Sequence, residues 1–414
     1  MKIIKCVGCF LFLIGYLVEA PAQTFIYTGE LDSVIVQVGR RSSSIELMPY
    51  SVSIVDTHSI SSINNMLTVR EVFSSVPGVI VSNRFNLSQG DKIIMRGMGS
   101  RAQFGVRGIK ILLDEIPLTF PDGQSQLNNL NTGTLGRIEV LRGPSSALYG
   151  NSSGGIISIK SDIISDKKYQ IRSEMNAGSF GFSRYGVGVS GEFINGAAGI
   201  DFYTTNYDGF RNHSNAKFSG INFITSQPFH ERFGLTIIAN YYNSPYLLNP
   251  GSLNKYDAET NPEKARESII NSGAGKKVEQ FQTGISFKYD FSNSSKLNTT
   301  LYAINRSLLN SIPSRIIDLQ RFAYGMRSTF SWSPNILNNN INLIAGFDYE
   351  VQDDSRTEFE NMGIWEESSK EADEVLNNLG YGDKLLDQEE MVNAIGVFSQ
   401  LEYLPSENIK LSAG

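Results

Sequence analysis

The side chains able to do chemistry are few and scattered. Three histidines, His58, His213 and His230, are spaced too widely to suggest a metal-ligand cluster or haem ligation. No Ser/His/Asp arrangement can be assembled around them either. Cys6 and Cys9 both lie in an apolar N-terminal segment. Once that segment is removed the chain has no thiol nucleophile, disulfide or cysteine-bound zinc. Gly97 and Gly99 suggest a nucleotide loop, but Ala102 stands where GxGxxG needs its last glycine and no Walker lysine follows. The aspartates of "VQDD", residues 351 to 354, could meet calcium, yet they read better as the solvated start of a long outer loop. No catalytic residue, metal or cofactor is expected.

What remains is a stretch dense in glycine and basic residues, "IIMRGMGSRAQFGVRGIKILLDEIPLTFPDG", residues 93 to 123. The elements around it are short. "SVSIVD" is strand-like, and "LTVREVFSSVPG" has helical spacing of Leu67, Val69, Val72, Phe73 and Val76 before a Pro77-Gly78 stop. "KIIMRG", "IKILLD" and "RIEVLRG" are β-rich and divided by glycine turns. Together they predict a small α+β domain over residues 49–161.

Upstream, Lys2 and Lys5 precede an apolar run that ends before Ala20-Pro21-Ala22-Gln23. The run is too short for a spanning helix and reads as a signal peptide over residues 1–23, a lipid anchor at Cys9 being the rival. Its removal leaves 34 basic against 41 acidic groups, which argues against nucleic acid as a partner. Residues 24–48 are polar apart from "DSVIVQV", Asp32, Ser33, Val34, Ile35, Val36, Gln37 and Val38. Such a piece is either a strand seeking a partner or the first strand of the next domain.

From residue 167 to 414 the texture is alternation. Phe281, Thr283, Ile285, Phe287, Tyr289 and Phe291 face Gln280, Gln282, Gly284, Ser286, Lys288 and Asp290 across one strand. About eleven such segments, with mostly short gaps on one side and longer ones on the other, match a transmembrane β-barrel, lipid outside and water inside. The long gaps are expected at 207–215, 243–279, 306–320 and 353–392. An eleven-strand sheet leaves an edge open, so the chain is read as a piece of a longer one.

"REVFSSVPGVIV", "IIMRGMGSR", "ILLDEIPLT" and above all "LRGPSSALYGNSSGGIISI" resemble the plug of TonB-dependent outer-membrane receptors. The resemblance runs over about residues 32–414. It departs at Glu115, where the family commonly has glycine, and that puts the local turn in question. It implies a barrel of about 22 antiparallel strands, about half of them here, closed by an N-terminal α+β plug because so wide a lumen cannot be filled by side chains. It further implies a bacterial outer-membrane receptor that imports a scarce nutrient and is not an enzyme. The ligand would be a ferric siderophore or other iron chelate, with cobalamin, haem or an oligosaccharide as alternatives. A passive porin and a secreted adhesin are the rivals from other classes.

The resemblance also assigns residues. The segment Asp32–Val38 becomes the TonB box, pairing edge-on with the periplasmic energy-coupling protein TonB. Arg96 and Arg142 would tie the plug to barrel acids that the sequence leaves unnamed. The apices "GSRAQFG" and "PLTFPDG" offer Arg101, Gln103, Phe104, Phe120 and Asp122 to the ligand, with Arg107 open between ligand and solvent. The box sits about eight residues past the cleavage site, which leaves no room for a signalling domain.

Because β-augmentation runs through the backbone, Ile35→Pro removes a donor and fixes φ. Energy-dependent uptake in the full-length receptor is expected to fall to background while surface ligand binding persists. Uptake at the unmutated rate would dismiss the TonB-box assignment.

Overall fold

A computed structural model of the chain describes residues 34–40, 43–48, 50–57, 67–82, 86–102, 105–165, 167–336, 339–364, 371–406 and 409–414. The expected signal peptide and the box residues Asp32 and Ser33 lie outside these, as do Gln103 and Phe104.

The N-terminal part is built of short strands and two short helices. In order these are β1 (Ile35–Val36), β2 (Ser43–Ser44), β3 (Ser51–Asp56), α1 (Val69–Phe73), β4 (Val79–Ser82), β5 (Lys92–Met95), β6 (Val106–Arg107), β7 (Ile109–Leu113), β8 (Ile116–Pro117), β9 (Gln124–Ser125), β10 (Leu135–Arg142), α2 (Ser146–Tyr149) and β11 (Gly155–Ser161). Five strands form the central sheet in the order β3-β10-β11-β7-β8, with β11 and β7 parallel and the other pairs antiparallel. Its residues Ile111, Ile138, Val140, Ile157 and Ile159 meet Val69, Val72 and Phe73 of α1 in one buried cluster. The helical spacing of those three is therefore what turns α1 onto the sheet.

Eleven long antiparallel strands follow as a meander. They are β12 (Tyr169–Ala177), β13 (Ser183–Phe193), β14 (Gly196–Tyr207), β15 (Ala216–His230), β16 (Phe233–Leu248), β17 (Gly275–Ser292), β18 (Ser295–Ile312) and β19 (Arg315–Trp332), then, past the two-residue β20 (Asn335–Ile336), β21 (Asn339–Ile364), β22 (Leu379–Ser406) and β23 (Ile409–Ala413). Two short helices, α3 (Lys255–Thr260) and α4 (Glu267–Asn271), occupy the connection from β16 to β17. The alternation orients the sheet as expected, with Phe281 48% exposed on the outer face and Gln282 1% exposed on the inner. No helix among the described residues is long and apolar enough to cross a membrane.

Two expected loops are strand instead. Residues 306–320 form the tops of β18 and β19, paired without interruption down to Ile312↔Arg315 across a two-residue turn. "VQDD" does not open a loop either, because β21 continues to Ile364 and buries Gln352 and Asp354. A bilayer needs only ~9–11 residues per tilted strand, so the 18 residues of β18 and the 26 of β21 extend the wall past it.

Gly155 shows how tightly the plug is closed. Its φ is +138°, and a Cβ there would lie 2.2 Å from the Leu141 carbonyl oxygen and 2.6 Å from the Met95 sulfur. Neither backbone nor neighbour can yield cheaply. Gly155→Ala is expected to destabilise the plug by about 3 kcal/mol or more, read as protease cleavage within residues 50–160 of the membrane-inserted receptor. Wild-type resistance in that variant would contradict the packing described.

Candidate functional site

Plug and barrel strands belong to one unit, Ile35–Gly414, and the seam between them mixes buried polar pairs with apolar patches, in which Ile116 and Phe120 pack with Ile238, Tyr302 and Ile304, and Leu112 and Leu148 with Ile344 and Phe398. The inner face of the sheet and the plug exchange ion pairs along its height. Lys110 of β7 meets Glu350 of β21 at 2.6 and 2.9 Å. From the wall, Arg321 of β19 holds Asp354 in a two-pronged contact at 2.8 and 2.6 Å and reaches the plug's Asp122 at 3.2 Å. Arg327, further along the same face of β19, donates to the Glu115 carbonyl at 2.7 Å. At the other edge the plug's Asn131 donates to Asp201 of β14 at 2.7 Å and accepts from Arg184 of β13. The charges are buried in pairs, which is what makes their burial tolerable.

Arg96 and Arg142 lie elsewhere. Arg142 donates to the Pro77 carbonyl inside the plug at 2.5 Å. The Arg96 side chain is exposed and makes no ion pair among the described residues; its backbone sits at φ +48° with its N–H on Gly78. The wall contacts fall instead to Lys110, Asp122 and Glu115, on strands and turns whose residue types alone gave no distinguishing signal. Asp122 and Phe120, expected at the ligand, are engaged with the wall. Phe120 is buried under the Arg321 guanidinium, 4.5 Å from its ring centre, and the Asp122 amide faces Gln352. Arg101 is exposed, and Arg107 donates to the Asp122 carbonyl at 3.3 Å.

The segment Val34–Val38 is partly docked. Val36 and Val38 are buried while Val34 and Ile35 are exposed. β1 pairs with β2, and the amides of Gln37 and Val38 both donate to Glu139 at 2.7 and 2.8 Å. Just beyond, Arg40 forms a two-pronged pair with Asp348 between the rings of Tyr149 and Phe398. This end of the plug opens on a cavity of about 720 Å³ that reaches Ser294, Lys296 and Ser333 beside the short turns. Phe120 and Gln124 face the opposite rim, where the long β16–β17 connection lies. That connection is ordered: Arg211 donates to the carbonyls of Pro250, Gly251 and Lys264.

Glu115 explains its own departure from glycine. Leu113 and Ile116 pair directly, leaving Asp114 and Glu115 as a two-residue turn at φ +49° and +73°, the primed geometry that favours glycine. The turn is kept because its side chains are tied down. Asp114 accepts from the Ser161 amide at 2.9 Å, and Glu115 meets Lys160 at 2.8 Å and Arg327 at 3.5 Å. Lys160, with Arg327 beside it, holds the Glu115 carboxyl at about 2, below its ordinary 4.5.

With this geometry in view the class is defined: an outer-membrane β-barrel wall with a folded plug seated on its lumenal face. Residues 44–156 match the family model for the TonB-dependent Receptor Plug Domain. The chain is 26% identical over 165 residues to a hemin receptor of Yersinia pestis, covering 38% of this chain and 23% of that protein. It is 28% identical over 131 residues to the vitamin B12 transporter BtuB of Vibrio vulnificus, covering 31% and 20%. Among solved structures, the unliganded ferric citrate transporter FecA superposes with a TM-score of 0.71 at 17% identity, over 90% of this chain and 57% of that one. The P. aeruginosa receptor FpvA, bound to a ferric pyoverdine, gives 0.71 at 13% identity, over 91% and 52%. The chain thus spans little more than half the length of these structures. Residues 44–156 thus carry the plug of TonB-dependent receptors, and the chain as a whole shares the fold of outer-membrane receptors such as FecA.

A folded-state pKa below the unfolded value means that the Glu115 contacts stabilise fully above pH about 4.5 and fade as the pH falls towards about 2. Urea unfolding of the plug, followed by proteolysis at stepped pH, is expected to show that loss in the wild type and a smaller one in Glu115→Gln. Identical acid profiles would remove Glu115 from the seam's energetics.

Proposed function

We propose that the chain is the plug and neighbouring barrel wall of a receptor that imports a scarce nutrient with energy delivered by TonB. A ferric siderophore or another iron chelate is the ligand class we favour. The observation that carries this reading is the polarity of the seated plug. Its N-terminal strand lies at the rim of short turns, and its Phe120–Asn128 apex lies under the rim of long connections. In that orientation a pull on Ile35–Val38 acts on the plug from the periplasm while ligand arrives from the opposite side. The docked state of β1 fits a strand held in reserve: only the Gln37 and Val38 amides, the β2 pair and a handful of neighbouring bonds must break to free it for β-augmentation.

The preference for iron chelates rests on the similarity to the ferric citrate transporter FecA and to FpvA in complex with a ferric pyoverdine. The hemin and vitamin B12 relatives keep haem and cobalamin as the second reading. A passive porin is disfavoured because an ion-paired plug blocks the lumen.

The test is growth of a deletion strain, carrying or lacking the full-length gene, on a panel of ferric chelates, haemin and cobalamin. Gene-dependent growth on a ferric chelate that is lost without TonB is the expected result. Rescue by cobalamin alone would replace the ligand class, and uptake that survives loss of TonB would end the coupled-transport reading. Liposome conductance should rise only after residues 24–160 are deleted.

A further inference from the structure

The wall strands β17, β18 and β19 carry three cations on their lumenal face near the rim of long connections: Lys276, Arg306 and Arg321. They line a cavity of about 80 Å³, roofed on the plug side by Phe120, Gln124 and Gln126. Arg306 and Arg321 are direct cross-strand partners, an arrangement of like charges that weakens a sheet unless something answers it.

Arg321 is answered twice, by Asp354 and by Asp122. Arg306 is not. It is 5% exposed, and its guanidinium donates to one neutral acceptor, Gln280 Oε1, at 2.7 Å. The Lys276 side chain makes no hydrogen bond or ion pair with any described residue, and it is half-buried. The nearby carboxylates are already engaged: Asp122 and Asp354 on Arg321, and Glu279 on the outer face with Tyr241. Among the described residues, therefore, no carboxylate answers the buried Arg306 or the half-buried Lys276, a costly arrangement for an empty site. The buried cations Arg40, Lys110, Arg184, Arg321 and Arg327, by contrast, are each paired with a carboxylate.

We propose that Lys276 and Arg306 form an oxyanion-recognition site, which takes one carboxylate- or phosphate-sized group of the imported ligand between the plug apex and the wall. This rests on the uptake reading above for what the ligand is, but not for whether the site binds an anion. An anion there neutralises the like-charge pair across β18 and β19. It also touches the segment Phe120–Gln126, which is tied through Asp122 to Arg321, so occupancy is sensed by the plug. A ligand carrying free anionic oxygens fits; one whose accessible surface is neutral leaves the two charges unanswered.

The experiment is isothermal titration of the detergent-solubilised full-length receptor with citrate and, as a separate arm, inorganic phosphate, at low and high salt. Binding of at least one probe is expected, weakening with salt, and falling at least tenfold in Lys276→Met and in Arg306→Gln. The arm that binds tighter identifies the source of the oxyanion. Lys277→Met, on the exposed outer face, serves as control and should bind like the wild type. Because the Lys276 side chain makes no bond, Lys276→Met should fold, and without anion its thermal unfolding midpoint should rise above that of the wild type. Unchanged affinity for both probes in the double variant would overturn the site, as would an equal loss in Lys277→Met or no binding by the wild type. Failure of the uptake reading looks different: TonB-independent growth with anion binding intact.

Discussion

A barrel wall whose inner face carries buried charges cannot be packed like a protein core alone, and much of this structure follows from how those charges are satisfied. Between apolar patches such as Ile238, Tyr302 and Ile304, the lumenal face of β13 to β21 carries charged and amide side chains, and the plug presents complementary groups at matching heights: Lys110 to Glu350, Asp122 to Arg321, Glu115 to Arg327, Asn131 to Asp201 and Arg184. Such pairs contribute modest net stability, because desolvation offsets much of their attraction. Their value is that they can be exchanged for water at small net cost. The apolar patches between them, such as Ile116 and Phe120 against Ile238, Tyr302 and Ile304, are the part of the seam that resists movement against the wall.

The plug itself is held differently. Its inner cluster of Val, Ile and Leu side chains is dry, and glycines such as Gly155 admit backbone contacts that no other residue could. An apolar-cored body thus sits in a socket whose charged contacts are exchangeable. At the socket's edge, Asp114 and Glu115 hold left-handed backbone that is compensated by Ser161, Lys160 and Arg327. Replacing the usual glycine by glutamate costs conformational freedom and gains an ion pair with both plug and wall. The same turn therefore belongs to both bodies.

The contrast between answered and unanswered charge gives the wall its functional map. Along most of the seam each lumenal cation has an acid within reach. Under the rim of long connections Lys276 and Arg306 do not, and the apex that carries Phe120 and Gln124 closes over them. At the opposite rim, Arg40 is buried between two rings and matched to Asp348, next to the short strand at the N-terminal end of the plug. The two ends of the plug therefore differ in kind: one closes over cations with no acid partner among the described residues, the other carries a docked strand beside a matched ion pair.

The order of elements, the eleven alternating strands and the plug's short strands were legible from the sequence, because alternation and glycine punctuation are local properties of the chain. So was the face each strand turns outward, since Phe281 and Gln282 differ in the one property a bilayer sorts by. The tops of β18, β19 and β21 were not legible, because above the bilayer both faces meet water or loops and the alternation that marks a strand has no cause to persist. Arg96 and Arg142 show the other limit. An arginine before a glycine looks the same whether it points at the wall or back into the plug, and only the folded plug turns Arg142 to Pro77 and leaves the wall to Lys110, Asp122 and Glu115. Residue type determined that this chain would need charge pairing in a lumen; which charges meet was decided by the register of strands 53 to 240 residues from their plug partners.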